Sequence, residues 1–291
     1  MSETDFIAAL RALPLHPGAR GLEDDCAVIP LGGETLIVTH DMMAEGVHWL
    51  PGQHPADIAW KLVAVNLSDL AAKGAEPIGV LLGYSLQEPA ANDAFQIGLS
   101  AALSAFSVRL LGGDTVCWKR AVHGLTALGR ATHVPVPSRA GAQPGDMLWV
   151  TGTIGAALAG FEALKAGDTG PASAPYRRPV PLLAEGRALA PLVTAMMDVS
   201  DGLLLDAWRI AQASSVRLMI DGGSVPIALP AIRRDEALRW GDDYQLLFTL
   251  PAGSTPPVPA TCIGQVERGA PALVLDGALL GDPETLGYLH G

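Results

Sequence analysis

Positive charge is scarce in this chain. Lysine and arginine number 19 against 30 aspartates and glutamates, a formal net charge of −11 over 291 residues. Nothing in it resembles a basic stripe, which argues against nucleic acid or an anionic membrane as partner. Cysteine is nearly absent. Cys26, Cys117 and Cys262 are far apart and odd in number, so they form neither a zinc spacing nor a disulfide framework, and a reducing cytosol is expected. Long apolar runs are missing: 78–86 has the length of a buried strand, not of a membrane span. The opening Met1-Ser2-Glu3-Thr4-Asp5 lacks the basic region of a secretion signal, in keeping with a cytoplasmic location. A Walker phosphate loop is absent too, because the glycine turn Gly152-Thr153-Ile154-Gly155 has no lysine and serine at the required spacing.

What remains is a globular composition. Hydrophobic residues make up 49% and charged residues 17%, enough for one large or two ordinary cores. Ser2 or Thr4 caps a first helix running to about Leu13, stopped by Pro14, Pro17 and Gly18. Strands are expected at 26–30 and 35–39, a helix at 55–74, a strand at 77–86, a helix from Asn92 to about Leu110 ending at a Gly112-Gly113 turn, and a strand at 121–131. The 55–74 helix is apolar nearly all round, through Ile58, Trp60, Leu62, Val63, Val65, Leu67 and Leu70, so it is buried on more than one side. The proline-rich stretch 133–144 is the best boundary, dividing the chain into 1–135 and 136–291. The second part reads as strand 147–150, a helix to about Lys165, a loop at 167–181, a helix at 182–192, a strand at 195–199, a helix at 201–213, and strands at 217–220, 245–250, 262–266 and 272–275. Both parts mix strands and helices, which gives two α/β or α+β domains.

Five short acidic motifs carry the chemistry: Asp24-Asp25, Thr39-His40-Asp41, Asn66-Leu67-Ser68-Asp69, Gly112-Gly113-Asp114-Thr115 and Asp198-Val199-Ser200-Asp201-Gly202. Each lies beside an apolar run or a glycine turn, and none has a matching basic cluster in sequence. Carboxylates gathered without cations repel, so a fold that assembles them calls for a bound ion. Oxygen donors of this kind favour Mg²⁺, which phosphate oxygens usually complete, and this points to phosphoryl transfer. Asp69 shares one helical stripe with Ile58, Leu62 and Val65; it is either a ligand or a carboxylate turned to solvent near the helix end, where the dipole disfavours it. Ser200 or Asp201 either caps the following helix or joins Asp198 in a metal–phosphate site. The glycine-flanked Asp114 and the strand-end acids Asp25 and Asp41 have the same two readings, as does Asp242 in Gly241-Asp242-Asp243-Tyr244. His48, near Asp41, offers no case for metal ligation from sequence.

In order and spacing these motifs resemble the thiamine-monophosphate kinases, of the superfamily that includes aminoimidazole ribonucleotide synthetase and selenophosphate synthetase. The resemblance rests on Asp24-Asp25-Cys26-Ala27, Thr39-His40-Asp41 with Glu45-Gly46-Val47-His48, and Ala64–Ala72. It continues through Gly112–Thr115, Ser138–Ala142, Val150–Gly155, Asp198–Leu203 and Gly241–Tyr244. It implies an N-terminal domain whose mixed sheet pairs with its copy in a homodimer, and a C-terminal α/β domain. It implies transfer of the γ-phosphate of ATP to thiamine monophosphate, with several Mg²⁺ ions and no catalytic side chain beyond metal holding and positioning. Carried over, the metal ligands are Asp25, Thr39, His40 through its backbone, Asp41, Asp69, Asp114, Asp198 and Asp201. ATP contacts are Gly113, Asp114, Arg139 and Ser200; substrate contacts are His48, Asp242 and Tyr288. The departures from the family pattern fall at Glu23 and on the acceptor side. Glu23 replaces a glycine, Arg239-Trp240 precedes Gly241 where a Ser-Gly or Thr-Gly is usual, Asp242 and Gln245 replace glutamates, and Tyr288 alone offers a closing aromatic. The competing readings are a kinase of another small phosphate ester and a nucleotide-binding dimer without catalysis.

Overall fold

The computed structural model describes residues 3–289, so Ser2 lies outside it. A short leading helix, α1 (Glu3–Leu10), precedes an antiparallel hairpin of β1 (Ala27–Leu31) and β2 (Glu34–Ala44). Helix α2 (Pro55–Ala72) follows, then β3 (Ala75–Leu86), α3 (Pro89–Ala105), β4 (Leu110–Cys117) and β5 (Val122–Ala131). The five strands form one sheet in the order β1-β2-β5-β3-β4, antiparallel except for the β3–β4 pair.

Helix α2 has clear local causes. Pro55 occupies the first helical turn, where its missing N–H is no loss, and the His54 ring accepts a hydrogen bond from the Ala56 amide at 3.2 Å. Gly74 ends the helix in a left-handed conformation at φ 59°. Its apolar surface then meets neighbours on several sides. It packs against α3, against β2, β3 and β5, and against three elements of the second half. Leu62, Val63, Leu67 and Leu70 are wholly buried as a result.

Three expectations for the first half need correction. The third helix is Pro89–Ala105, because Pro89 begins it before Asn92 and Ser107 leaves helical geometry at φ 54°. Gly112-Gly113 is no turn. It lies inside β4, where a side chain at Gly113 would sit 1.9 Å from the Leu82 carbonyl oxygen of β3. Glycine is required there by the close approach of two strands, not by chain reversal. Helix α1 also ends three residues short of Leu13, in a turn before Pro14.

The second half contains β6 (Met147–Thr151), α4 (Ala156–Lys165), α5 (Ala174–Arg177), α6 (Leu183–Leu189) and β7 (Ala195–Asp198). It continues with α7 (Leu203–Ser214), β8 (Arg217–Ile220), α8 (Arg234–Arg239), β9 (Leu246–Leu250), β10 (Ala260–Glu267), β11 (Ala272–Leu275) and β12 (Ala278–Leu280). Its mixed sheet runs β12-β11-β8-β10-β6-β9-β7. Leu148, Val150, Met197, Leu204, Ile210, Leu218 and Leu247 form its core. Helices α5 and α8 and strand β12 are too short for periodicity to reveal.

The two halves meet along α2. Its C-terminal end packs on α6 so closely that a side chain at Gly186 would lie 1.9 Å from the Ala71 carbonyl oxygen. At its other end Asp57 pairs with Arg177 and with Arg178 at 2.5 Å, and the Trp60 indole donates to the Pro179 carbonyl at 2.9 Å. Between the sheets, Arg20 donates to the Val136 and Pro137 carbonyls at 3.0 and 2.9 Å. Among the described residues no helix is long and apolar enough to cross a membrane.

Candidate active site

A cleft of about 1350 Å³ opens between the halves, with α2 as part of its wall. Strand β2 runs on to Ala44, so Asp41 lies within it and not at its end as the sequence suggested; its alternation turns Thr39 and Asp41 inward and His40 outward. Asn66 of α2 holds the strand at this point by accepting the Asp41 amide at 3.0 Å. From the other half, Asp198 at the tip of β7 and the loop Ser200-Asp201 enter the cleft. That loop is fixed by the fully buried Asp206, whose carboxylate accepts the Ser200 and Asp201 amides at 3.0 and 3.1 Å.

Carboxylate oxygens of Asp25, Asp69 and Asp198 all lie within 4.8 Å of one another. This trio brings together one residue before β1, one from α2 and one from β7. Among the described residues Asp69 and Asp198 have hydroxyl partners only: Thr39 donates to Asp69, and Ser68 to Asp198 at 2.5 Å. Burial, then the neighbouring Asp41 and Asp198, push Asp69 well above the ordinary carboxylate range. Burial and Asp25 raise Asp198 to about 8, and burial with Asp201 and Asp25 raises Asp41 to about 6. Groups held this way gain from a cation among them.

The expectation that no cation accompanies the acids is wrong for part of the cluster. Lys73, wholly buried, reaches Asp24 at 2.6 Å and Asp25 at 2.5 Å. Arg139 donates to Asp25 through Nε at 2.9 Å, and Arg20 pairs with Asp24. Burial alone would raise both aspartates; Lys73 and Arg20 around Asp24, and Arg139 and Lys73 around Asp25, hold them below the usual range instead. Arg209 bridges Asp201 and Asp206, both at 2.6 Å. Lys73 and Arg139 stand far from their partners in sequence, so spacing does not reveal them, whereas Arg20–Asp24 and Arg209–Asp206 are local pairs four and three residues apart. The available sign was a lysine, Lys61 or Lys73, set in or beside an otherwise apolar helix.

The remaining sequence candidates divide. Arg139, Ser200, Asp201, His48, Asp242 and Tyr288 line the cleft with Asp25, Asp41, Asp69 and Asp198. His40 does not: its ring meets the Thr126 hydroxyl at 2.9 Å on the outer face of the sheet. Gly113 and Asp114 lie on the exposed edge strand β4, away from the cleft, and Asp114 accepts the Thr115 amide at 2.9 Å. Sequence reasoning put Trp240 in the altered acceptor segment but passed over Phe161 and Tyr176, which complete an aromatic wall with it. The Phe161 ring centroid lies 5.3 Å from that of Tyr176 and 5.0 Å from that of Trp240.

Two halves with mixed sheets around an acid-lined interdomain cleft define the architecture of the AIR synthase related proteins. The N-terminal domain of that group matches residues 23–131, and its C-terminal domain matches residues 143–267. The similarity narrows further. Thiamine-monophosphate kinase of Escherichia coli K12 is 36% identical over 93% of this chain and 91% of its own length. A solved structure described as AaThiL complexed with AMPPCP and TMP superposes with a TM-score of 0.87 at 28% identity, over 100% of this chain and 97% of that one. The crystal structure of thiamine-monophosphate kinase from Stenotrophomonas maltophilia K279a gives 0.79 at 34% identity, over 95% and 96%. The chain belongs to the thiamine-monophosphate kinase family.

Proposed function

We propose that this chain transfers the γ-phosphate of ATP to thiamine monophosphate, giving thiamine diphosphate and ADP. The observation that carries this reading is the Asp25–Asp69–Asp198 trio in the interdomain cleft of a family member. The donor set fits Mg²⁺: three carboxylates converge, and two of them lack any cation partner among the described residues. Asp25, Asp69 and Asp198 would hold the ion, with Asp41 and Thr39 alongside. Bound there, Mg²⁺ supplies neutralisation of phosphate charge and alignment of the donor with the acceptor.

The chain's own residues do the rest. Arg139 and Ser200 offer a cation and a hydroxyl at the nucleotide side of the cleft. The phosphate of the acceptor is already a nucleophile, so positioning rather than proton abstraction dominates, and no side chain need act as a base. His48, Asp242, Tyr288 and the aromatic wall form the acceptor side. Thiamine carries a cationic ring and an amino-substituted ring, and both suit aromatic faces and a carboxylate.

The working unit in this proposal is a homodimer. Every residue of β4 is exposed, and Leu110, Leu111, Val116 and Trp118 make that unpaired edge apolar. Such an edge invites pairing with a second copy. The three free thiols support a reducing compartment. The test is ADP release with ATP and Mg²⁺, with and without thiamine monophosphate, while thiamine diphosphate is followed directly. Product appearing in step with ADP is expected; nucleotide turnover without it would refute the acceptor.

A further inference from the structure

Lys61 is buried to within 1% of full enclosure, yet it has no part in the metal cluster. It sits on α2, eight residues before Asp69, and it points across the interface. Its ammonium donates to Asp242 Oδ2 at 2.7 Å and to the His48 carbonyl at 3.0 Å. It also lies 4.0 Å from the centre of the Tyr176 ring. Tyr176 in turn donates through its hydroxyl to the same His48 carbonyl at 3.1 Å. The second oxygen of Asp242 accepts the Tyr244 hydroxyl at 2.8 Å. One lysine therefore ties together two segments of the acceptor side, one from each half of the molecule.

The backbone around Asp242 is arranged for this contact. Asp242 and Tyr244 both hold positive φ, 63° and 50°, a strained conformation for residues with side chains. Their amides donate to the Ser200 and Val199 carbonyls at 2.7 and 2.8 Å. A side chain at Gly241 would meet the Ser200 carbonyl oxygen at 2.3 Å, so glycine is what lets this segment lie so close to the Ser200 loop. The structure thus holds Asp242 against the metal-side loop while Lys61 fixes the direction of its carboxylate.

We propose that Lys61 is a positioning residue for the acceptor. It holds the Asp242 carboxylate and the His48 backbone in one geometry, so that the free lone pairs of Asp242 face a cationic or amine-bearing ring in the cleft. A lysine left without this task would be a poor choice inside an apolar helix. The inference rests on the kinase reading above and deepens it, by naming what orients the acceptor rather than the nucleotide.

The test compares wild type with K61M, K61R, D242N and the double variant K61M/D242N, in turnover of thiamine monophosphate and in calorimetric binding of Mg²⁺–ATP. K61M is expected to raise KM for thiamine monophosphate by about 10-fold or more, while nucleotide affinity changes by less than about 2-fold. K61R is expected to recover most of the loss, and the double variant to be little worse than the worse single one, since both act through one contact. Y244F, a milder change that leaves the lysine paired, is expected to show a smaller rise of the same kind and serves if K61M fails to fold. An unchanged KM in K61M, equal loss of nucleotide binding, or additive effects in the double variant would each overturn the role of Lys61. Wild-type protein that makes no thiamine diphosphate would instead overturn the kinase reading, and the acceptor assignment with it.

Discussion

Replacing Asp69 by asparagine separates what this residue does for folding from what it does for activity. Its carboxylate lies within 4.8 Å of ligand atoms of Asp25 and Asp198, and two unit charges at that distance repel by about 3 kcal/mol at an effective dielectric near 20. Partial retention of protons reduces the real penalty, leaving on the order of 1–3 kcal/mol to be relieved by a neutral amide of the same size. The metal-free D69N protein should therefore melt higher than wild type, by about 2–4 °C per kcal/mol for a chain of this size. D25N should do the opposite. Asp25 pairs with the buried Lys73 and with Arg139, and breaking a buried pair costs about 3–5 kcal/mol. Magnesium should close or invert the gap between wild type and D69N. An ion at 100 times its dissociation constant stabilises wild type by about 2.7 kcal/mol, and D69N should gain almost nothing. Thermal unfolding in chelator and in Mg²⁺, for the three proteins, measures all of this. A metal-free D69N that melts as low as D25N, or one that keeps the full magnesium shift, would refute the assignment of Asp69 as a buried ligand.

Other outcomes follow from single contacts. G186A should destabilise the α2–α6 contact by about 1–3 kcal/mol, because the added methyl meets the Ala71 carbonyl oxygen, and limited proteolysis should detect earlier loosening of the halves. His123 is stacked between Trp49 and Tyr84, and burial lowers it to about 4. A depressed histidine takes up its proton in the unfolded chain first, so its contribution is complete above about pH 6.5 and declines by at most about 3 kcal/mol as pH falls to about 4. H123F should flatten that part of the melting profile. Two lysines in place of Val116 and Trp118 should block the β4 edge and shift the protein to monomer in sedimentation velocity; an unmoved dimer would place the interface elsewhere.

Much of the site was legible where a polar group broke an apolar pattern. Asp69 interrupted a helical stripe, and Asp198 ended a buried strand; both converge in the cleft. Helix α2 announced its own burial by being apolar on every side. The glycines of β4 misled because their cause lies in another strand: Gly113 answers to Leu82, and no local pattern records that contact. The lysine partners escaped for the same reason. Asp242 stands 181 positions from Lys61, and Asp24 stands 49 from Lys73. Charge arithmetic along a chain cannot show which acids a fold will pair and which it will leave exposed to one another.

The placement of Lys61 and Asp69 on one helix has a metric consequence. Eight residues of α-helix rise about 12 Å. Packing holds α2 on several sides, so the span between the group that orients the acceptor ring and the group that faces the transferred phosphate is set like marks on a ruler. A molecule with the right ring but a shorter or longer arm to its phosphate could reach one mark and miss the other. Discrimination among phosphate esters would then be a matter of length before it is a matter of chemistry.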